Sequence, residues 1–335
     1  MAPTGAGVVT ERRVVRRLVR RGLRSARIRS AALRAAATAG RGLILVYHRV
    51  THSTEASGGI IPEVPADVFR QQIRALLEIG EVVTLEELLG GRRSRRRPRF
   101  AITLDDDYLS HHDIALPALL GLGVTATFFL CGRSLYGMGP TWFEVLDQLL
   151  RREGLEGACR LIGARTRSIE ELAVACEGSE AMRDAVMSQR DAAFEANDRL
   201  QGTHIAALAE AGMAVGFHTL RHLVLPALDD EPLRREMIDG RDALAAVSSQ
   251  PISLFAYPHG KADVRTAQAV RDAGYRAAVT GRPGPTSRRS NPLLLRRWEP
   301  GPLGADAFLA GIAAKLIRPS LTARGRGGHA RPGPA

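Results

Sequence analysis

Cysteine and lysine are the scarce residues of this 335-residue chain. Its three cysteines, Cys131, Cys159 and Cys176, are odd in number and lack CxxC spacing, so neither a disulfide framework nor a cysteine zinc site organises the fold. They read as buried free thiols in a reducing compartment. Lys261 and Lys315 are the only lysines, so arginine carries the formal net charge of +12. That bias reflects genome composition more simply than a design for phosphate contacts. With the arginine excess so accounted for and no recognised binding motif present, nucleic acid is set aside as a partner; Walker and GxGxxG phosphate loops and internal repeats are also missing. No apolar run reaches the ~18 residues of a transmembrane helix, and no signal-peptide h-region with a cleavage site opens the chain. The expectation is a cytoplasmic protein, soluble or peripheral to the inner face of the membrane.

The arginines are clustered. Ten of them, with one acid, lie between Glu11 and Arg34, and six more between Arg92 and Arg99. The first stretch, threaded with Val14, Val15, Leu18, Leu23 and Ile28, reads either as a basic tail or as an amphipathic helix suited to an anionic membrane surface. The second reads as a solvated loop bounded by Gly90-Gly91 and Pro98. Beyond about Pro319 the arginine-, glycine- and proline-rich composition is that of a disordered tail. The predicted organisation is a basic N-terminal segment (1–41), one domain (42–318) and a basic tail (319–335).

Within the domain, short apolar runs alternate with helical patterns, the signature of βα units. Candidate strands are Leu43–Tyr47, Phe100–Leu104, Val124–Leu130, Met213–Phe217, Ile252–Tyr257, Tyr275–Val279 and Leu293–Arg297. Seven such runs suit a distorted (β/α) barrel of parallel strands. Ala66 to Ile79 carries a helical stripe through Phe69, Ile73 and Leu76. Capping-box patterns at Thr84, Thr141 and Ser168 mark three further helix starts. Residues 141–200 show no strand pattern and read as a helical insertion.

Polar chemistry collects just after four strands, where parallel α/β barrels build their sites. These positions are His48, Asp105-Asp106-Asp107, His218-Thr-Leu-Arg-His222 and Tyr257-Pro-His259-Gly260. Each has an ordinary reading alone: a loop histidine, a solvated turn, a chance surface pair, a tight turn. Their shared position changes that. If the chain turns helically at His218, its ring and that of His222 share one face, close enough to grip one metal ion. Two histidines and one carboxylate would leave zinc an open position, as catalytic sites do.

These residues resemble the polysaccharide deacetylase family, the NodB-homology or carbohydrate esterase 4 group. Thr103-Leu-Asp-Asp-Asp-Tyr108 is similar to its first motif and His218-Thr-Leu-Arg-His222 to its second. Phe255-Ala-Tyr-Pro-His-Gly260 is similar to one version of its third. The resemblance implies a NodB-like barrel and metal-dependent hydrolysis of an N-acetyl amide on an amino-sugar glycan. It assigns Asp106, His218 and His222 to a divalent ion, most plausibly zinc, Asp105 to the general base, and the backbone N–H of His259 to the oxyanion. The late Leu-His motif is absent, and Val46-Tyr-His48 resembles the first-strand version that supplies the general acid, with His111 the runner-up and otherwise a surface residue. The arginine expected before the third-motif proline is Ala256, for which Arg296 or Arg297 could substitute from the final strand. Asp107 stands where a glycine is usual and could bond substrate, raise the Asp105 pKa or face away. Tyr257, Arg297, Trp298 and Trp142 are candidate substrate contacts, with Phe143 and Tyr136 further stacking candidates. Two other functions fit the same residues: an amidohydrolase on a non-sugar amide or imide, and a silent, membrane-associated glycan-assembly protein.

Overall fold

The computed structural model describes residues 25–53, 58–90, 97–190 and 199–317. The arginine-rich stretches at 1–24 and 91–96 and the tail from 318 onward lie outside the described residues, as do the expectations made for them. All seven candidate strands form. They are β1 (Gly42–Tyr47), β5 (Arg99–Asp105), β6 (Thr127–Leu130), β7 (Ala214–Phe217), β8 (Leu254–Ala256), β9 (Ala277–Thr280) and β10 (Leu295–Trp298). Short pieces add to these: β2 (Arg49–Thr51) pairs with β3 (Glu63–Pro65), and β4 (Glu81–Val82) pairs with the first two residues of β5. The main strands run β1-β10-β9-β8-β7-β6-β5, all parallel, and β5 pairs back along the whole of β1 from Gly42 opposite Arg99 to Tyr47 opposite Leu104. The result is a closed barrel of seven strands.

Successive strand residues point to opposite faces, so the barrel sorts its sequence by parity. One set faces outward and packs under the helices, as Leu43, Leu45, Tyr47, Phe128, Phe255 and Tyr257 do. The other faces inward, where Ile44, Ala101, Phe129, Ala256, Val279 and Leu295 form a separate cluster. A barrel this small has only room for side chains, and they fill it. Its lower end is stopped by Leu85, with Leu88 and Leu89, of α3 (Leu85–Gly90). Leu88 presses on Gly42 at the start of β1, where a Cβ would meet it at 2.5 Å.

The flanking helices are α1 (Ala26–Thr38), α2 (Ala66–Ile79), α4 (Leu116–Gly121), α8 (Gly202–Glu210), α9 (Asp230–Ile238), α10 (Arg241–Ser248), α11 (Val264–Asp272) and α12 (Ala305–Ile317). Between β6 and β7 come α5 (Trp142–Ile162), α6 (Ile169–Gly178) and α7 (Glu180–Met187). This trio has a core of its own, built from Val145, Leu146, Leu149, Leu172, Cys176 and Val186. Each expected capping box starts a helix. The Thr84 N–H donates to Glu87 at 2.9 Å, Thr141 and Glu144 cap α5, and the Ser168 hydroxyl accepts the Glu171 N–H at 3.1 Å.

Candidate active site

The inward parity of the strands continues into the loops above them. Positions 44 and 46 lead to His48, 101 and 103 to Asp105, 214 and 216 to His218, and 295 to Arg297. Four groups from four strands therefore converge over the filled interior. Asp105, the last residue of β5, is buried, and both its oxygens are held at 2.6 Å by the terminal nitrogens of Arg297. Arg297 is spent further on the Thr103 hydroxyl and the Thr280 carbonyl, both at 3.2 Å. Burial works against the charged carboxylate, but Arg297, His218 and His48 outweigh it and hold the Asp105 pKa down at about 2.

Asp106 leaves the strand in a left-handed conformation, φ 74°, which turns its carboxylate away from that of Asp105. Its Oδ1 is buried without a hydrogen-bond partner. That oxygen lies 3.7 Å from Nε2 of His218 and 3.5 Å from Nε2 of His222, and the two nitrogens are 3.2 Å apart. A tetrahedral ion with bonds of about 2.1 Å separates its ligands by about 3.4 Å, so the three atoms fit one centre. His218 donates Nδ1–H to the Ala256 carbonyl at 2.8 Å, leaving the Nε2 lone pair for the centre. Burial, with His218 and His259 beside it, keeps His222 well below the usual histidine range and hence neutral, as a ligand must be. Among the described residues these three form the one cluster with metal-ligand spacing.

No helical turn forms from His218 to His222. The chain makes a loop with Thr219 at φ 60° and His222 at φ 55°, pinned by the His222 N–H on the Thr219 hydroxyl at 3.1 Å. Arg133, buried, supports the loop by donating to the Leu220 carbonyl at 3.0 Å. Backbone strain gathers here: four of the five described non-glycine residues with positive φ are Asp106, Thr219, His222 and His259. Such conformations cost ~1–3 kcal/mol each and persist where the surroundings over-determine them.

His48 donates through Nδ1 to Glu299 at 2.8 Å. Burial works against its cationic form, yet Glu299, with help from Asp106 and Asp105, lifts its pKa to about 9. It stands as a proton donor at neutral pH. A dication bound by the triad would offset the share that Asp106 contributes. His259 sits in the tight Tyr-Pro-His-Gly turn at φ 55°, its ring 4.6 Å from that of His222. The turn needs Gly260, because a Cβ there would meet the Gly281 backbone at 2.4 Å. Phe143, at the start of α5, brings its ring to 4.8 Å from His222 and makes the apolar wall of the site. The buried pair of Glu144 with Arg199 anchors that helix start.

Several expectations need correction. Tyr257 has outward parity: its hydroxyl donates to the Leu293 carbonyl at 2.9 Å inside the helix-covered core, out of reach of substrate. Trp298 likewise faces out and stacks on Phe308 of α12 at 5.7 Å. Arg297 faces in, but it is buried and committed to both oxygens of Asp105, so it positions that carboxylate. Trp142 packs with the core of the insertion, leaving Phe143 at the centre. His111 is no surface residue and no proton donor to the site. It is buried against Tyr108 and Phe128, gives its Nε2–H to the His48 carbonyl at 2.9 Å, and burial depresses its pKa to about 4. Asp107 faces away from the base, accepting the N–H groups of Cys131, Gly132 and Arg133 at 2.8, 3.2 and 2.9 Å. Glu299 escaped sequence reasoning; its one signal is an acid placed directly after an inward-outward strand pair.

Comparison with known proteins bears on the fold and the family. YxkH of Bacillus subtilis (strain 168), named for the polysaccharide deacetylases, is 23% identical over 274 residues, covering 80% of this chain and 75% of its own. Two solved structures share the fold. The Streptococcus pyogenes deacetylase PplD in complex with acetate has a TM-score of 0.58 and 19% identity, covering 81% of this chain and 98% of that one. IcaB from Ammonifex degensii has a TM-score of 0.51 and 20% identity, covering 82% and 97%. The family model "Polysaccharide deacetylase" matches residues 92–278, more than half of the sequence and the span that holds Asp105, Asp106, His218, His222 and the His259 turn. A hydrolytic N-deacetylase built on a NodB-like barrel, the chain belongs to the polysaccharide deacetylase family.

Proposed function

We propose that the protein removes N-acetyl groups from an amino-sugar glycan with the help of one divalent ion, zinc by the nitrogen-and-oxygen character of its donors. The observation that carries this is the spacing of the Asp106, His218 and His222 ligand atoms, 3.2 to 3.7 Å, beside a second buried carboxylate kept ionised. When bound, such an ion acidifies water and polarises a carbonyl.

The chain's own residues supply the rest. Asp105, fixed by Arg297, accepts a proton from the attacking water. We assign the His259 backbone N–H as the donor to the oxyanion that develops on the acetyl carbonyl. As the carbon–nitrogen bond breaks, His48 passes its proton to the departing nitrogen, leaving acetate and a free amine on the sugar. Glu299 keeps that proton on His48 until it is needed. Phe143 gives the site an apolar flank.

We place the protein in the cytoplasm, with Arg27, Arg34 and the exposed Ile28 of α1 available to an anionic membrane surface. Acetate release from N-acetylated amino-sugar oligomers, measured with and without chelator, tests the activity. No release from any glycan by metal-replete protein would overturn the reading.

A further inference from the structure

The two histidines of the triad are held differently. His218 has its ring fixed by a second bond, from Nδ1–H to the Ala256 carbonyl at 2.8 Å. His222 lacks that device: its Nδ1 is buried without a hydrogen-bond partner. A metal-ligating histidine is ordinarily aimed by the bond on its other nitrogen. For His222 the aim therefore comes from its backbone, helped by ring contacts with Phe143 and His259. That backbone is left-handed at Thr219 and again at His222, a state that persists only where the surroundings over-determine it.

One constraint lies inside the loop, the His222 N–H on the Thr219 hydroxyl, and Arg133 supplies another at the Leu220 carbonyl. The next residue, Arg221, reaches the other way. Its Nη1 donates to Oε1 of Glu236 in α9 at 2.7 Å, and its Nη2 to Oδ2 of Asp239, just beyond that helix, also at 2.7 Å. The two carboxylates stand on a fixed wall. Leu233 and Met237 of α9 are buried, the Met237 carbonyl accepts the Tyr275 hydroxyl at 2.7 Å, and Leu220 lies against Gly240, where a Cβ would meet its own at 3.3 Å.

Glu236 is out of place by the ordinary rules of a core. It is 1% exposed, and its Oε2 has no hydrogen-bond partner. Its partner Arg221 has a side chain 41% exposed, so the pair offsets only part of the penalty for burying the charge. An apolar side chain of similar size would pack there without that penalty. What the carboxylate adds is a hold on Arg221. We infer that Arg221, gripped by Glu236 and Asp239, is a positioning residue for the metal centre: it clamps the loop in its left-handed form and so keeps Nε2 of His222 beside that of His218. The inference rests on the metal-dependent reading of the site.

Two measurements on the full chain test it: zinc affinity, by competition with a chromophoric chelator, and amide hydrogen exchange of the His222 N–H in metal-free protein. Arg221→Gln should weaken zinc binding by roughly 10- to 100-fold. It should also speed exchange at His222 at least tenfold, with the amides of β5 and β7 unchanged. Arg221→Lys, which keeps the charge but loses the fork, should fall between. Arg221→Gln combined with Glu236→Gln strands no buried charge, so it answers the question if the single variant fails to fold, and the same losses are expected of it. Zinc affinity within twofold of the unaltered protein in the double variant would overturn the inference. So would exchange that quickens equally in the loop and the strands, the mark of a general loss of stability. Faster exchange confined to the loop, in a protein that binds no zinc even unaltered, supports the clamp and counts against the metal-dependent reading alone.

Discussion

Arg297 and Asp105 meet through two parallel bonds of 2.6 Å, although 192 residues separate them in sequence. The fork arrives from the last strand of the barrel and satisfies the Asp105 carboxylate from below. It does the work expected of an arginine at the position that Ala256 occupies.

Arg297→Met should strand a buried charge and cost ~3–5 kcal/mol of stability. The pH dependence follows from the depressed Asp105 pKa. The pair's contribution is complete above the unfolded carboxylate pKa of ~3.9 and fades as pH falls through about 2. In Arg297→Met the acid limb of kcat/KM should therefore move to higher pH, with Arg297→Lys in between. Identical acid limbs in all three proteins would exclude this role.

His48 behaves with the opposite sign. Its raised pKa stabilises the fold fully below the unfolded value of ~6.5, and that contribution is lost as pH rises through about 9. Glu299→Gln should lower the alkaline limb of the rate profile by about one to three pH units. His48→Ala should slow deacetylation by roughly 10²–10⁴. An unmoved alkaline limb in Glu299→Gln would show that another group donates the proton.

Metal analysis separates ligands from base. Asp106→Ala and His218→Ala should lose the ion, and Asp105→Asn should retain it while losing activity. Full retention in the first two would remove the triad from consideration.

Asp107 should matter to stability before chemistry. Asp107→Ala deprives three buried N–H groups of their acceptor and should cost on the order of 2–4 kcal/mol, read as a fall in melting temperature. Tyr257→Phe should cost ~1–2 kcal/mol through the unsatisfied Leu293 carbonyl, with KM unchanged. A rise in KM for Tyr257→Phe would return that residue to the substrate.

The barrel and its seven strands were legible in the sequence because each rests on a local signal, an apolar run or a cap, and the paired histidines His218 and His222 with the aspartate run stood out as candidate ligands. Relations that close across the barrel were not. Arg297 and Glu299 find Asp105 and His48 only once β10 lies beside β1, and no short window contains both partners. The misplacements of Tyr257 and Trp298 had a readable cause, since strand parity alone separates them from Ala256 and Arg297. His111 was misjudged because a single π-helical turn, His111–Ala115, carries it inward against Phe128. The His218–His222 loop reaches metal-ligand spacing through left-handed backbone that local propensity disfavours.

Leu85, Leu88 and Leu89 stopper the barrel from below, so its interior offers products no exit. Acetate and the deacetylated sugar must leave over the upper rim, the side from which the glycan is bound. Acetate held against the centre would obstruct the next acetamido group, so accumulated product should act as a competitive brake on turnover.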